Sequence, residues 1–150
     1  MLKSIGISSI LGFLFNTVSI PVLAEQVYPT FEQAGFLFEL RECGFTTRSD
    51  APLTCKFRIE NTQDNRREFY IYADRSRVVD TEGNEIAGLT VNLGNKGDGN
   101  KAGTELIYKV PVKGSITFEK APQGDVLLVD LRCWGTDVSY FNVEFPFTQQ

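Results

Sequence analysis

Histidine is absent from this chain of 150 residues. Because histidine is the commonest general base near neutral pH and a common ligand of zinc and copper, its absence excludes Ser–His–Asp and Cys–His catalytic arrangements and histidine-containing metal sites. A pair of carboxylates could still catalyse hydrolysis, but none of the 19 acidic residues stands apart from the polar faces of the predicted strands. We therefore predict that the protein is not an enzyme and uses no cofactor.

Basic residues are also fewer than acidic residues. The chain has 15 lysine and arginine residues against 19 aspartate and glutamate residues, which gives a formal net charge of −4. A nucleic acid or an anionic membrane attracts proteins through a concentrated basic patch. The basic residues here are scattered along the sequence, so we predict no nucleic-acid partner.

The chain has no long apolar run, and the apolar stretch near its start is short. Lys3 precedes an apolar stretch at residues 5–15, and Pro21 stands shortly before Ala24, which is the order of features in a cleaved secretory signal peptide. The stretch is well below the ~20 residues that span a bilayer. We predict a signal peptide at residues 1–24 and a single domain at residues 25–150. The protein would be secreted or periplasmic, with no stable membrane anchor after cleavage.

Cysteine occurs only three times, as Cys43, Cys55 and Cys133. In an oxidising compartment these residues allow one intramolecular disulfide and leave one thiol. Cys55 and Cys133 both fall on inward positions of predicted strands, so a bridge between two layers is one alternative. Cys43 and Cys55 flank a short turn-rich connection, so a bridge across a hairpin is the other. We favour Cys43–Cys55 because its closure is local, with Cys133 free.

Strict alternation of apolar and polar residues is what the chain has in abundance. Residues 53–60 place apolar side chains at odd positions and polar ones at even positions, which is typical of a strand with one buried face. Comparable runs recur with turn residues between them, and about seven to nine short strands predict an all-β, immunoglobulin-like antiparallel β-sandwich.

Residues 29–35 are predicted to form a single helical turn, because Thr30 and Gln33 have capping-box spacing. The glycine-rich residues 94–103 are predicted to form a long exposed loop.

Three short segments carry a family resemblance through their order and spacing. Residues 57–62 end a strand in asparagine, residues 76–84 contain Asp-x-x-Gly followed by asparagine, and residues 112–119 precede an apolar run at 127–131. Over about residues 36–145 the chain resembles a group of secreted bacterial domains with a telokin-like, immunoglobulin-like sandwich. Residues 76–84, with Leu93 and Gly94, are also similar to small exported cyanobacterial proteins. Such relatives have no assigned activity, so the resemblance implies the fold and not a function.

An acidic turn is the first candidate site. Asp80, Glu82 and Asn84 cluster within five positions, and hard oxygen ligands of this kind suit Ca²⁺. The spacing matches no EF-hand loop. Aspartate and asparagine also cap their own backbone in ordinary turns, so turn chemistry is the competing and favoured interpretation of these residues.

A tyrosine face is the second candidate site. Tyr70 and Tyr72 share the outward side of a predicted strand and are flanked in sequence by arginines, namely Arg66, Arg67, Arg75 and Arg77. Outward aromatic residues can anchor a protein partner or stack on a sugar, although they can also simply cover the sheet. We predict a non-catalytic binding or structural module whose partner is a protein or another envelope component. The alternative is a small-ligand domain for Ca²⁺ or a carbohydrate.

Overall fold

A computed structural model describes residues 28–45 and 51–147 of the chain, so the predicted signal peptide lies outside the described residues. The described residues form ten β-strands and no helix, and the predicted all-β class is confirmed. Within these residues there is accordingly no helix long and apolar enough to cross a membrane. The strands are β1 (Thr30–Gln33), β2 (Phe36–Phe45), β3 (Leu53–Asn61), β4 (Arg67–Asp80), β5 (Glu85–Leu93), β6 (Lys96–Gly99), β7 (Lys101–Leu106), β8 (Val112–Phe118), β9 (Val126–Gly135) and β10 (Ser139–Pro146).

The strands pack as two antiparallel layers, which confirms the predicted sandwich. The first layer has the order β1-β2-β3-β8 and is completed by the second half of β5, with β6 at its edge. The second layer has the order β10-β9-β4, and β4 is flanked on its other side by β7 and the first half of β5. The glycine-rich residues 94–103, predicted as a loop, instead contain β6 and the start of β7.

Strand β5 passes from one layer to the other. Residues 85–87 pair with β4, whereas residues 88–93 pair with β8. At the transition stands Gly88, where a Cβ atom would lie 2.4 Å from the carbonyl oxygen of Ala73. Because no side chain fits in that space, glycine permits the close approach that joins the two layers on this side of the sandwich.

The core lies between the layers and is formed by the inward residues of each strand. Phe36 and Phe38 of β2 contact Phe69 of β4, and Phe141 of β10 joins them, with all ring centroids 5.0–6.5 Å apart. Each such pair contributes about 0.5–1.5 kcal/mol beyond its burial. The odd-numbered side chains of β3 are all buried, as the alternation of the sequence predicts.

The prediction of a helical turn at residues 29–35 is wrong. Residues 30–33 form β1, which pairs in register with the start of β2. Ala34 and Gly35 connect the two strands with φ values of +57° and +76°, the consecutive positive pair of a type I′ hairpin turn. Pairing with β2 satisfies the backbone of this segment, which a single helical turn would leave mostly unbonded.

Arg67 is a charged residue in the interior, so the expectation that it flanks an outward tyrosine face is wrong. It shares the inward parity of Phe69 and is only 1% exposed. Its Nη1 donates to the carbonyl oxygen of Ala34 at 2.9 Å, and its Nη2 donates to that of Thr136 at 2.8 Å. Its guanidinium carbon lies 4.0 Å from the ring centroid of Phe36, and burial lowers the pKa of Arg67. The side chain thereby ties the β1–β2 turn to the β9–β10 turn at one end of the sandwich.

Candidate functional site: an aromatic–cationic face

A row of aromatic rings crosses the outward side of the second layer. Tyr70 of β4 pairs with Trp134 of β9, which pairs in turn with Tyr140 of β10. The ring centroids of Tyr70 and Trp134 are 5.6 Å apart, and the ring planes are inclined by 63°. Gly103 of β7 ends the row, and a Cβ atom there would lie 2.1 Å from the Tyr70 ring. The tyrosine ring therefore occupies the space that a side chain on β7 would otherwise fill.

A second row lies one pair further along the strands. Tyr72 of β4 pairs with Arg132 of β9 on one side and with Lys101 of β7 on the other. The Tyr72 ring centroid is 5.6 Å from that of Tyr140, which connects the two rows. Burial raises the pKa of Tyr72, and its contact with Tyr140 raises it further.

Three cations lie over these rings. Lys101 Nζ is 4.4 Å from the Tyr70 centroid and 5.2 Å from that of Tyr72. The guanidinium carbon of Arg75 lies 5.6 Å from Tyr72, and that of Arg132 lies 5.2 Å from Tyr140. Exposed contacts of this kind contribute about 0.5–1 kcal/mol each. We refer to these seven residues as the aromatic–cationic face: Tyr70, Tyr72, Trp134, Tyr140, Arg75, Lys101 and Arg132.

A bulge in β4 carries Arg75 onto the face. Tyr72 pairs with Arg132 and Arg77 pairs with Asp130, so residues 73–76 are inserted between two pairs that are only two residues apart on β9. The hydroxyl of Ser76 donates to the carbonyl oxygen of Tyr72 at 2.7 Å and accepts the backbone N–H of Arg132 at 2.9 Å. Bulges characteristically redirect side chains in this way, and here the bulge lets one cation reach both tyrosine rows.

Arg77 stands apart from the other predicted residues of the tyrosine surface. Its Nη1 donates to Glu85 at 2.7 Å and its Nε to Asp130 at 3.2 Å. The hydrogen bond to Glu85 is the main reason that the pKa of Arg77 is raised. Of the predicted binding residues, the structure therefore brings together Tyr70, Tyr72 and Arg75, while Arg77 belongs to a neighbouring ion-pair network.

The acidic turn has a buried carboxylate at its centre. Asp80 is 0% exposed; its Oδ1 accepts the backbone N–H groups of Glu82 and Asn84 at 3.0 and 2.9 Å. Its Oδ2 accepts the backbone N–H of Gln123 at 3.0 Å and the Asn84 side-chain amide at 3.0 Å. Burial by itself raises the pKa of Asp80, but the hydrogen bonds from Asn84, Gln123 and Gly124 prevail and lower it to about 2.

These contacts make Asp80 a cap that joins two turns. Its oxygens face nitrogen donors, and the side chain of Glu82 is exposed to solvent. Across residues 28–45 and 51–147, no three acidic or cysteine side chains are grouped so that they could hold a metal ion. Turn capping accounts for Asp80 and Asn84, and calcium binding at Asp80, Glu82 and Asn84 stays a prediction.

The predicted disulfide is confirmed. Cys43 and Cys55 are directly paired residues of β2 and β3 and are joined by a disulfide. Cys133 carries a free thiol that is fully buried, and burial raises its pKa well above the ordinary value. A thiol of this kind is a core side chain and not a reactive nucleophile. The disulfide is compatible with an extracellular or periplasmic protein, because disulfides persist in oxidising compartments.

Four residues of the face escaped sequence reasoning. The residues predicted for the tyrosine face do not include Trp134, Tyr140, Lys101 or Arg132. The sequence does indicate that Arg132 and Trp134 face outward, since they alternate with the inward Leu131 and Cys133. The sequence does not show the order of the strands in the sheet. The strands that carry the face, β4, β7, β9 and β10, are distant in the chain and become neighbours only through pairing.

Comparison with known proteins yields little for this chain. No model of a known protein family matches it, and no curated protein matches it. One solved structure with some similarity is the CooA pilin subunit from enterotoxigenic Escherichia coli, at 11% sequence identity and a TM-score of 0.32, covering 61% of this chain and 72% of that chain. At that level the similarity supports no argument. The resemblance to the telokin-like group stays a prediction.

Proposed function

We propose that this protein is a non-catalytic binding module of the cell envelope and that the aromatic–cationic face contacts a protein partner. The observation that carries the proposal is the clustering of four aromatic rings and three cations on one solvent-facing side of the second layer. Tyrosine, tryptophan and arginine are the residues most enriched among those that dominate protein interfaces. A face built from them is suited to recognition.

The charges of the face favour a partner over a purely structural role. In the described part of the chain, neither Lys101 nor Arg75 has an ion-pair partner. By contrast, cations elsewhere on the sandwich, such as Arg66 and Arg77, do pair with glutamates. Cations that lie above an aromatic surface without an ion-pair partner of their own complement a partner protein with acidic groups.

Ring geometry favours a protein over a sugar. A sugar ring stacks on an open aromatic face, but the rings of Tyr70 and Trp134 are inclined by 63° and those of Tyr72 and Tyr140 by 48°. Cations also lie over three of these rings. The side chains of a partner protein can pack against such an uneven surface. Carbohydrate binding is the alternative.

Export is part of the proposal. The predicted signal peptide at residues 1–24 and the disulfide between Cys43 and Cys55 both support a secreted or periplasmic location. The absence of histidine from the whole chain supports a role without catalysis.

The test uses the processed chain, residues 25–150, as bait for envelope extract of the source organism. A specific partner is identified, purified and titrated against the wild type, a Tyr70→Ala/Tyr72→Ala variant and a Tyr140→Ala variant. Loss of a central interface residue costs at least about 2 kcal/mol, or about thirtyfold in Kd. The matched control is Phe31→Ala, because Phe31 is 41% exposed and Tyr140 is 48% exposed. If the face variants bind the partner as tightly as the Phe31 control, the proposal fails.

A thermal melt tests the small-ligand alternative. The processed chain is melted with excess Ca²⁺, with chelator and with a panel of neutral glycans. A ligand present at a hundredfold its Kd adds ~2.7 kcal/mol to the free energy of unfolding. That gain raises the Tm of a domain of this size by several degrees. A shift with Ca²⁺ or with one glycan replaces the protein-partner proposal with the corresponding small-ligand function.

A further inference from the structure

A basic groove lies on the outward side of the first layer, away from the aromatic–cationic face. It encloses about 710 Å³, within the range of roughly 300–1,000 Å³ that small-ligand sites occupy. Four cations line it, contributed by β2, β3 and β8: Arg41, Lys56, Arg58 and Lys113. Among the residues that the structure describes, no aspartate or glutamate lines the groove. The charged side chains that line the groove are thus all positive, on a chain whose net charge is −4.

Like charges face each other across the middle of the groove. Arg58 of β3 is directly paired with Lys113 of β8, and Lys56 stands two residues from Arg58 on the same strand. Directly opposed like charges destabilise a sheet. Neighbouring strands are ~4.8 Å apart and alternate residues of one strand ~6.7 Å apart. The cations therefore form a lattice that a ligand with two or three anionic groups at those spacings would neutralise.

Three of the four groove cations pair with glutamates that lie outside the groove, and these glutamates limit the extent of the positive charge. Glu39 pairs with Arg41, Glu42 with Lys56 at 3.3 Å, and Glu60 with Arg58 at 3.6 Å. The Lys56–Glu42 pair is exposed, and pairs of this kind are worth little and exchange readily with solvent or a ligand. The other two pairs are half-buried. Within residues 28–45 and 51–147, Lys113 has no ion-pair partner at all. Because acids border the groove, a short anionic ligand fits better than a long polyanion.

Neutral groups in the groove indicate what the ligand carries besides charge. Asn92 of β5 and Ser115 of β8 are directly paired and both line the groove. The rest of the wall is supplied by Phe57, Pro111 and the backbone at Gly94 and Gly114. Amide and hydroxyl groups exchange hydrogen bonds with sugar hydroxyls, and arginine binds carboxylates with two parallel bonds. We propose that this groove binds a short acidic oligosaccharide, with its carboxylates on the arginines and lysines and its hydroxyls on Asn92 and Ser115.

The test is calorimetric titration of the processed chain with trigalacturonic acid, with an uncharged trisaccharide and with tripolyphosphate. We expect binding of the acidic sugar alone, weaker at higher salt. The variants Arg58→Gln and Lys113→Gln should each weaken it about tenfold, which corresponds to the loss of one charge-assisted contact. Lys120→Gln is the matched control, since it removes the same charge from an exposed lysine outside the groove. Near-UV circular dichroism establishes that each variant is folded.

Each contrary outcome overturns the proposal. No binding of the acidic sugar overturns it outright, and so do groove variants that bind as the Lys120 control does. Tripolyphosphate binding as tight as that of the sugar shows an unselective anion patch and overturns the saccharide assignment. The Tyr70→Ala/Tyr72→Ala variant should retain full affinity for the acidic sugar, because the two sites lie on opposite layers. The groove and the aromatic–cationic face can therefore fail or succeed independently.

Discussion

The buried guanidinium of Arg67 is predicted to be essential for closing one end of the sandwich. It donates two hydrogen bonds to half-buried carbonyl groups, at 2.9 Å to Ala34 and at 2.8 Å to Thr136. Hydrogen bonds to a charged group contribute about 1.5–3 kcal/mol each, so the pair contributes about 3–6 kcal/mol. Arg67→Ala should lower the free energy of unfolding by up to that amount, because removing the buried charge and its unpaired Nε offsets part of the loss. For a domain of about 120 residues, a loss of ~3–6 kcal/mol corresponds to a fall in Tm of about 12–24 °C.

A second substitution separates the hydrogen bonds from the packing. Arg67→Met keeps an unbranched side chain against Phe36, 4.0 Å from the guanidinium in the native protein, but removes both donors and the buried charge. It leaves two carbonyls unsatisfied at about 1–3 kcal/mol each, partly offset because the cost of burying a charge disappears. We expect Arg67→Met to be destabilised, by less than Arg67→Ala.

The assay is urea denaturation at pH 7, followed by circular dichroism and fluorescence with the slope m compared between variants. Arg66→Ala is the control, because Arg66 is adjacent in sequence and its side chain is 70% exposed in an ion pair with Glu105. Such a pair contributes about 1 kcal/mol or less. The reasoning is refuted if Arg67→Ala falls within about 1 kcal/mol of the Arg66 control. It is also refuted if Arg67→Met is more stable than the native protein.

Three further perturbations have defined outcomes. Reducing the Cys43–Cys55 disulfide, which closes a separation of 12 residues, should lower the free energy of unfolding by ~3 kcal/mol in the chain-entropy model, and a melt unchanged by reductant would contradict this. Asp80 has a pKa of about 2 in the folded protein against 3.8 ordinarily. Because its folded pKa is depressed, its stabilising contribution is complete above about pH 5 and is lost as the pH falls toward 2. Asp80→Asn should therefore flatten the acid limb of a stability–pH curve, and an unchanged limb would argue against the cap. Gly103→Ala should displace the Tyr70 ring, since a Cβ atom would lie 2.1 Å from it, so the near-UV circular dichroism should change while the far-UV spectrum does not.

Local properties of the fold were accessible from sequence because they depend on neighbouring residues. The alternation in residues 53–61 identified β3 and its buried face, and the short separation of Cys43 and Cys55 favoured the observed disulfide. Local reasoning failed where a distant strand changed the outcome. The capping-box spacing of Thr30 and Gln33 was overridden when β1 paired with β2.

The candidate site shows the same division. The outward parity of Tyr70 and Tyr72 follows from their own strand, so the sequence identified half of the aromatic rings of the face. Trp134 and Tyr140 join them only because β9 and β10 lie beside β4 in a particular register. Arg75 and Arg77 are two residues apart but make different contacts because of the bulge at Ser76. Arg75 lies over the rings, whereas Arg77 pairs with Glu85 and Asp130.

The sequence by itself determined the all-β class, the inward and outward side of most strands and the lack of histidine chemistry, and it favoured the observed disulfide. Each of these depends on composition or on the two-residue period of a strand, which a linear chain displays directly. Only the tertiary structure decided the order and register of the strands, and with them the aromatic–cationic face, the basic groove and the burial of Arg67. Those features consist of side chains that are far apart in the chain, and antiparallel pairing across the two layers brings them together.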